Sequence, residues 1–335
     1  MSDMTNVGDQ HVGDQLAPWQ RRVYDQAAAA IDAGRLGHGL VFCGPAQLGK
    51  RAVAERLAKR LLCTDRRADG EPCRVCRGCH LFAAGTHPDF QVVSFVMNKE
   101  GTRLRTEIII DQMRRLSEQM VLTSQFGGAQ VAIIDPAEAI NHHASNALLK
   151  TLEEPVPGRY LWLLSAHPAR LSATIRSRCQ RLEFRLPPRE EALAWLIRQG
   201  RTEKVAGEAL DAARGHPGLA QEWLNGSGLA IRREVAADLA GLVTDQVAVV
   251  ATAQRWVADG QTDLRLRHAA DLALAQAAAG LTDPLRSRRL AAWFDRVNRV
   301  RDLLRTTVRI DLAVAELLLD WRTDAGKRTG TEGTK

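Results

Sequence analysis

The chain has 335 residues, a formal net charge of +7, six cysteines and few aromatic residues. It contains no apolar run of about 18 residues, and residues 1–15 carry no basic-plus-apolar signal, so we expect neither a membrane-spanning nor a secreted protein. We therefore expect a cytoplasmic protein of about two domains with no membrane partner, whose cysteines bind a metal rather than form disulfides.

The first half of the chain alternates strand and helix patterns after a polar leader, residues 1–17, that we expect to be disordered. Apolar runs predict strands at 40–43, 90–95, 131–135, 160–165 and 182–185. Helical patterns predict helices at 50–62, 106–121, 138–152 and 168–175. The alternation indicates a mostly parallel sheet, and uninterrupted apolar strands indicate that helices cover both of its faces.

The second half changes character at Pro187-Pro188, beyond which we find only helical patterns. Helices are expected at 189–198 and 204–214, followed by breaks at 215–218 and 225–228 and four or five further helices. One apolar face is the clearest: Leu290, Trp293, Phe294, Val297 and Leu304. We predict an α/β domain at 18–186, a small helical domain at 187–226, a larger helical bundle at 227–322 and a disordered tail at 323–335.

A glycine-rich loop, residues 44–51, joins the first strand to its helix and has the phosphate-binding pattern with one deviation. Gly44 and Gly49 let backbone N–H groups close around phosphate oxygens, and Lys50 would reach the β- and γ-phosphates. The next residue should be Ser or Thr, whose hydroxyl holds Mg²⁺, but it is Arg51, a cation with no acceptor atom. Arg51 could pair with a phosphate or could fill the site, so nucleotide binding by this chain is in doubt.

The strand that ends at Asp135 predicts the acid that positions Mg²⁺ through water. In hydrolysing proteins the next residue is usually Glu, which polarises the attacking water, whereas this chain has Pro136. Glu138 is interpreted as an ordinary first-turn acid of a helix rather than a replacement base. Two catalytic groups are missing independently, so we expect little or no ATP hydrolysis.

Four cysteines with the spacing C-x9-C-x2-C-x2-C follow the first predicted α/β helix: Cys63, Cys73, Cys76 and Cys79. Four thiolates suit one tetrahedral Zn²⁺ ion, and with all positions filled it would be structural, one ion per chain in a module at about 63–79. The alternatives are no metal or an iron–sulfur cluster, whose run would need a further Cys followed by Pro. Cys43 and Cys179 are expected to be buried apolar residues, and His80 and His87 to be surface or helix-capping residues.

The triplet Ser177-Arg178-Cys179 lies between a predicted helix and an edge strand. Arginine carries a permanent charge and a fork of donors that fits phosphate. When one subunit supplies it to the γ-phosphate of a neighbour, it stabilises the transition state. From the local sequence alone, however, a solvated surface arginine is the favoured interpretation.

The order of these motifs resembles the clamp-loader subunits of bacterial DNA polymerase III, which are AAA+ proteins. The resemblance extends over about residues 18–186 and includes Gly-Thr-His-Pro-Asp at 85–89 and Asn-Ala-Leu-Leu-Lys-Thr-Leu-Glu-Glu-Pro at 146–155. Within the family the chain is more similar to delta-prime subunits than to ATP-hydrolysing gamma/tau subunits. Arg51, Pro136 and Gly218 stand where gamma/tau-like chains keep the hydroxyl residue, the glutamate and a nucleotide-sensing arginine.

The resemblance implies an AAA+ α/β domain with a zinc-binding insertion, an all-α lid and an all-α C-terminal collar. It implies a heteropentamer with gamma/tau and delta subunits that loads the sliding clamp onto primed DNA during replication. In that complex Arg178 would be the arginine finger in the ATP site of an adjacent gamma/tau subunit. The chain would serve as the stationary, non-hydrolysing support, or stator, of the DNA polymerase III holoenzyme.

Two other functions are weighed against this one. The first is an active AAA+ ATPase with unusual chemistry. The second is a zinc-dependent nucleic-acid-binding protein, which a group of arginines in one helical region would favour: Arg286, Arg288, Arg289, Arg296, Arg299, Arg301, Arg305 and Arg309. Because Asp283, Asp295 and Asp302 are interleaved with them, a solvated helix face is the preferred interpretation.

Overall fold

The computed structural model describes residues 15–98, 100–126, 128–279, 283–304 and 308–325. Most of the predicted leader, most of the predicted tail and Arg305 lie outside these ranges. Within the described residues the chain divides into two compact units. The first comprises the described residues up to Arg198 together with Gly215–Gly218, and the second comprises Gln199–Arg214 together with the described residues from Leu219 onward.

The first unit contains a sheet of five strands, all paired in parallel. The strands are β1 Gly39–Cys43, β2 Phe90–Val93, β3 Gln130–Ile134, β4 Arg159–Ser165 and β5 Gln180–Glu183. Their spatial order is β2-β3-β4-β1-β5, so β1 lies between β4 and β5. All five residues of β1 are buried, as the apolar run predicts. The predicted parallel α/β architecture is confirmed, with strand ends shifted by one or two residues.

Helices cover both faces of this sheet. The helices of this part of the chain are α1 Pro18–Asp32, α2 Lys50–Leu62, α3 Arg77–Ala83, α4 Ile110–Val121, α5 His142–Glu153, α6 Ala173–Arg178 and α7 Arg189–Arg198. Leu40 and Phe42 face the core shared with α1 and α2. Val41 and Cys43 face the opposite core, shared with α4, α5 and α6. The alternation of side chains along β1 therefore joins two separate hydrophobic cores.

Three helices begin later than the sequence predicts because capping side chains set their first residues. Asn141 accepts a hydrogen bond from the Ala144 N–H at 3.0 Å, so α5 starts after a separate 3₁₀ turn at Ala137–Ala139. Ser172 accepts from the Ile175 N–H at 3.2 Å, so α6 starts after a 3₁₀ turn at Pro168–Arg170. At α4, the Gln112 side chain accepts from the backbone of the preceding Ile109, and the helix starts at Ile110 instead of residue 106.

The described residues of the second half form helices joined by short loops, with no strand, as predicted. Its helices are α8 Glu203–Ala212, α9 Pro217–Asn225, α10 Gly228–Val243, α11 Val249–Ala258, α12 Thr262–Ala279, α13 Pro284–Leu303 and α14 Ile310–Asp320. The predicted break at 215–218 is shorter than expected, because Pro217 opens α9, a position that suits its fixed φ. In the described part of the chain no helix combines the length and apolar character needed to cross a membrane.

The core of the second unit contains buried tryptophans whose indole N–H groups donate hydrogen bonds to backbone carbonyls. The rings of Trp293 and Trp321 lie 4.6 Å apart between centroids. Trp293 donates to the Leu317 carbonyl at 2.9 Å, and Trp321 donates to the Leu239 carbonyl at 2.8 Å. These bonds remove the desolvation cost of burying indole N–H groups and tie α10, α13 and α14 together.

Candidate nucleotide site and metal centre

The glycine-rich loop leaves the carboxyl end of β1 and enters α2. Gly44 has φ of 142°, and a side chain there would lie 2.2 Å from the Phe184 carbonyl oxygen. Gly49 has φ of 78° and caps α2, and a side chain there would lie 2.0 Å from the Gln20 amide nitrogen. Both positions therefore favour glycine for conformation, and Gly44 also for space, because the atom it approaches belongs to the backbone.

The ammonium group of Lys50 is turned back onto its own loop. Its Nζ donates to the carbonyl oxygens of Gly44 at 2.9 Å and Pro45 at 2.7 Å. Burial lowers the pKa of Lys50, although the negative charges of Asp135 and Glu138 act to raise it. The residue that would contact phosphates is thus held by carbonyl groups of the loop.

Arg51 stands at the start of α2 and forms ion pairs on two sides. Its Nε lies 2.8 Å from Glu55 Oε1, one helical turn later. Its Nη1 lies 3.6 Å from Oδ2 of Asp135, which follows β3 directly. The structure therefore brings together Gly44, Gly49, Lys50, Arg51 and Asp135, with a guanidinium beside the acid that would position Mg²⁺.

Glu138 is tied to the neighbouring strand rather than exposed on a helix. It lies in the 3₁₀ turn, and its Oε1 accepts from the Ala166 N–H at 3.1 Å, just beyond β4. Its Oε2 is buried and has no hydrogen-bond partner among the described residues. Pro136, which occupies the position of the usual glutamate, offers no acceptor side chain.

Helix α1 covers the glycine-rich loop, a contact that the sequence analysis missed. Trp19 Nε1 and Gln20 Nε2 each donate to the Leu48 carbonyl at 3.2 Å. Gly218, which belongs to the first unit, approaches the same loop so closely that a side chain would lie 1.9 Å from the Gln47 carbonyl oxygen. No arginine fits there without movement of the backbone.

The four cysteines of the predicted module converge at the end of α2 and the start of α3. The Cys63 sulfur lies 3.6 Å from the Cys73 sulfur and 3.8 Å from the Cys76 sulfur. All four sulfurs lie within 4.8 Å of one another. A tetrahedral ion with Zn–S bonds of about 2.3 Å requires sulfur separations of roughly 3.8 Å. The donor set and spacing therefore fit one zinc ion, and the cluster is able to bind a metal.

The polypeptide favours ionisation of one of these thiols. Burial alone would raise the pKa of Cys76, but hydrogen bonds from Thr64 and from the Cys79 N–H lower it to about 5. Burial and the neighbouring sulfurs of Cys76 and Cys63 raise the pKa of Cys79 to about 12. A bound metal would supply the charge needed to deprotonate the remaining thiols.

Asp89, the last residue of the Gly-Thr-His-Pro-Asp motif, holds the loop at residues 124–126, a role that the sequence analysis missed. Its buried carboxylate accepts from the N–H groups of Gln125 at 3.0 Å and Phe126 at 3.2 Å and from the Ser124 hydroxyl at 3.1 Å. His87 is 4% exposed and its ring packs against that of Phe126. The expectation of a surface or helix-capping role is therefore wrong for His87, because the loop held by Asp89 covers it.

Arg178 lies at the last residue of α6. Its side chain is 35% exposed, and its Nη2 lies 2.7 Å from Glu153 Oε1. Its Nη1 donates to the Thr174 carbonyl at 3.0 Å, and the Ser177 hydroxyl donates to the same oxygen at 3.0 Å. Cys179 is buried, as its apolar interpretation predicts, and Cys43 is buried too.

The sheet register separates Arg178 from the glycine-rich loop of its own chain. Leu40 pairs with Gln180, so Arg178 lies at the amino-terminal edge of the parallel sheet. The loop begins after Cys43, at the opposite edge. The strand between them spans roughly 15 Å, which is beyond the reach of an arginine side chain.

Comparison with known proteins places the chain in a family. A family model described as DNA polymerase III, delta subunit, matches residues 19–188. The DNA polymerase III subunit delta' of Pseudomonas aeruginosa is 39% identical over 243 residues, 72% of this chain and 71% of that protein. The subunit delta' of Escherichia coli is 34% identical over 67% of this chain and 65% of that protein. The subunit gamma/tau of Mycobacterium tuberculosis is 31% identical over 53% of this chain and 30% of that protein. The chain therefore belongs to the family of DNA polymerase III delta-prime subunits.

Proposed function

We propose that the chain is the non-hydrolysing stator of a DNA polymerase III clamp loader. One observation carries the proposal: Arg51 Nη1 lies 3.6 Å from Asp135 Oδ2, in the position where a hydrolysing site holds Mg²⁺. Pro136 has no acceptor side chain and so cannot activate a water molecule. A site without a metal position and without a base supports ATP hydrolysis poorly.

Arg178 would complete the ATP site of a neighbouring gamma/tau subunit. Its position at the sheet edge opposite its own loop supports action on another subunit. Its exposed end pairs only with surface groups of α5 and α6 in the described contacts, and such ion pairs are worth about 0–1 kcal/mol. A γ-phosphate could replace Glu153 as its partner at little cost.

The complex that we propose contains gamma/tau and delta subunits and loads the sliding clamp onto primed DNA. The similarity to a gamma/tau subunit supports a common AAA+ ancestry of the partners. The proposal retains a lid at 187–226, a collar at 227–322 and a cytoplasmic location. It also assigns one structural zinc ion to the four-cysteine cluster, whose sulfur spacing supports that ion.

The nucleic-acid-binding alternative is weakened because several described arginines of the arginine-rich helical region form ion pairs with carboxylates. Arg296 lies 3.1 Å from Asp320, Arg301 lies 2.8 Å from Asp263, and Arg309 lies 2.6 Å from Asp311. Arginines paired with carboxylates release fewer counterions on binding a phosphate backbone. The ATPase alternative keeps one favourable observation, the buried and unpartnered Oε2 of Glu138.

The test is the DNA-stimulated ATPase activity of the reconstituted loader with Arg178→Ala. One of two or three active sites loses its arginine, so we expect at least about a third of the activity to be lost, with assembly intact on size exclusion. Arg178→Lys keeps the charge without the planar fork and should not restore activity. Arg181→Ala, an exposed arginine of β5, is the matched control. Unchanged ATPase in an assembled Arg178→Ala complex would remove Arg178 from the mechanism.

A further inference from the structure

Glu71 belongs to the loop that carries the cysteines, but its carboxylate is held by helices α1 and α2. The residue lies two positions before Cys73. Its Oε1 accepts from the Tyr24 hydroxyl of α1 at 2.5 Å, and its Oε2 accepts from Arg56 Nη2 of α2 at 2.8 Å. Tyr24 is 1% exposed, so this is a contact inside the molecule rather than a surface pair.

Arg60 extends the same network to the end of α1. It is 2% exposed, its Nη1 lies 3.4 Å from Glu71 Oε1, and its Nη2 donates to both carboxylate oxygens of Asp32 at 2.7 and 2.8 Å. At Gly70 the loop crosses this guanidinium so closely that a side chain would lie 2.0 Å from Nη2. The buried guanidinium of Arg60 on α2 therefore holds the loop at Gly70 and Glu71.

The same two helices contact both the glycine-rich loop and the cysteine loop. Helix α2 begins at Lys50 and ends immediately before Cys63, the first sulfur of the cluster. Helix α1 donates to the Leu48 carbonyl through Trp19 and Gln20 at one end. Farther along α1, Tyr24 donates to Glu71.

We propose that Glu71 is a positioning residue that couples metal loading of the four-cysteine cluster to the order of α1 and α2. The proposal rests on the metal site proposed above. Holding residues 70 and 71 against Arg60, Arg56 and Tyr24 brings Cys73 toward Cys63 before a metal arrives, which reduces the entropy lost on binding. Because linkage is reciprocal, a bound metal in turn stabilises the contacts of Glu71 with both helices.

The experiment measures zinc affinity of the full chain by competition with a chromophoric chelator. Glu71→Gln keeps the size of the side chain and removes its charge. We expect zinc affinity to fall roughly tenfold, as for residues that orient metal ligands. Asp65→Asn is the matched control, because it removes an exposed carboxylate of the same loop that lies nearer to Cys63 in the sequence. It should change the affinity less than twofold if positioning, rather than charge near the metal, is the cause.

Tyr24→Phe provides an independent variant on α1, far in sequence from every cysteine. It removes only one hydroxyl donor, and we expect zinc affinity to fall in the same direction by a smaller factor, even if Glu71→Gln does not fold. Hydrogen exchange adds a second readout: removal of zinc should speed exchange of α1 amides in the parent chain and not in Glu71→Gln. Affinities of folded Glu71→Gln and of Tyr24→Phe within twofold of the parent would overturn the coupling. Failure of the parent chain itself to bind zinc would instead overturn the metal site.

Discussion

The guanidinium of Arg51 and the carboxylate of Asp135 form an ion pair, with Nη1 and Oδ2 3.6 Å apart. The two side chains are 35% and 29% exposed, so the pair contributes about 1 kcal/mol or less to stability. In the function that we propose, this guanidinium would occupy the place beside the acid where a hydrolysing site holds Mg²⁺. Arg51, the residue that departs from the phosphate-binding pattern, and Asp135, the acid that follows β3, are therefore direct partners.

Replacement of Arg51 tests this arrangement directly. Arg51→Thr removes the guanidinium from beside Asp135 and supplies the hydroxyl that holds Mg²⁺ in intact loops. We expect Mg²⁺-dependent binding of a fluorescent ADP analogue, absent from the parent chain, to be detectable in titrations. Arg51→Val is the matched control, because valine has nearly the same shape without the hydroxyl. Equal binding by the Thr and Val variants would show that metal coordination is not what Arg51 displaced.

Zinc content is the second prediction. Elemental analysis of the purified chain should give about one zinc ion per chain, and Cys76→Ser should lose it together with thermal stability, because structural zinc binding contributes on the order of 10 kcal/mol in small peptides. Cys179→Ala, at a buried cysteine outside the cluster, should retain the metal. Iron in place of zinc, or full zinc retention by Cys76→Ser, would contradict the assignment.

The stability of the helical unit should depend on pH through His268. This residue is fully buried beside Trp223, and burial, reinforced by the charges of Arg232 and Arg267, lowers its pKa to about 4. In the unfolded chain His268 binds a proton near pH 6.5, whereas in the folded chain it binds one only near pH 4. The free energy of unfolding therefore falls as the pH drops from about 6.5 to about 4. Between pH 7 and 5 the loss should be on the order of 1–2 kcal/mol.

Urea denaturation followed by tryptophan fluorescence measures this pH dependence. His268→Phe should flatten the pH dependence, while His142→Phe, at an exposed histidine of α5, should leave it unchanged. Part of the acid sensitivity should persist in His268→Phe, because burial also lowers the pKa of His87. Identical slopes for the parent and His268→Phe would refute the assignment.

The sequence predicts the sheet and its covering helices well because both depend on local patterns. Helix α2 begins and ends at the predicted residues, 50 and 62, where Gly49 adopts a left-handed conformation and Cys63 an extended one. The four cysteines are recognisable because they lie within one short segment, from the end of α2 to the first turn of α3, with metal-ligand spacing.

Contacts between residues distant in sequence could not be predicted in the same way. The pairing of Glu71 with Tyr24, and the capping of residues 124–126 by Asp89, depend on how separate elements pack. Single polar residues in loops carry no periodic signal, so sequence reasoning assigned His87 to the surface. One feature of the sequence could have indicated that Asp89 is buried: it ends the Gly-Thr-His-Pro-Asp motif and directly precedes β2.

Steady-state ATP turnover by the purified chain with Mg²⁺ tests the stator role most directly. The geometry of Arg51, Asp135 and Pro136 predicts no turnover above that of the Lys50→Ala variant, prepared in parallel to reveal contaminating ATPases. Reconstitution with gamma/tau and delta subunits should then restore ATPase that depends on Arg178. Brisk turnover by the chain alone, abolished by Lys50→Ala, would contradict the account.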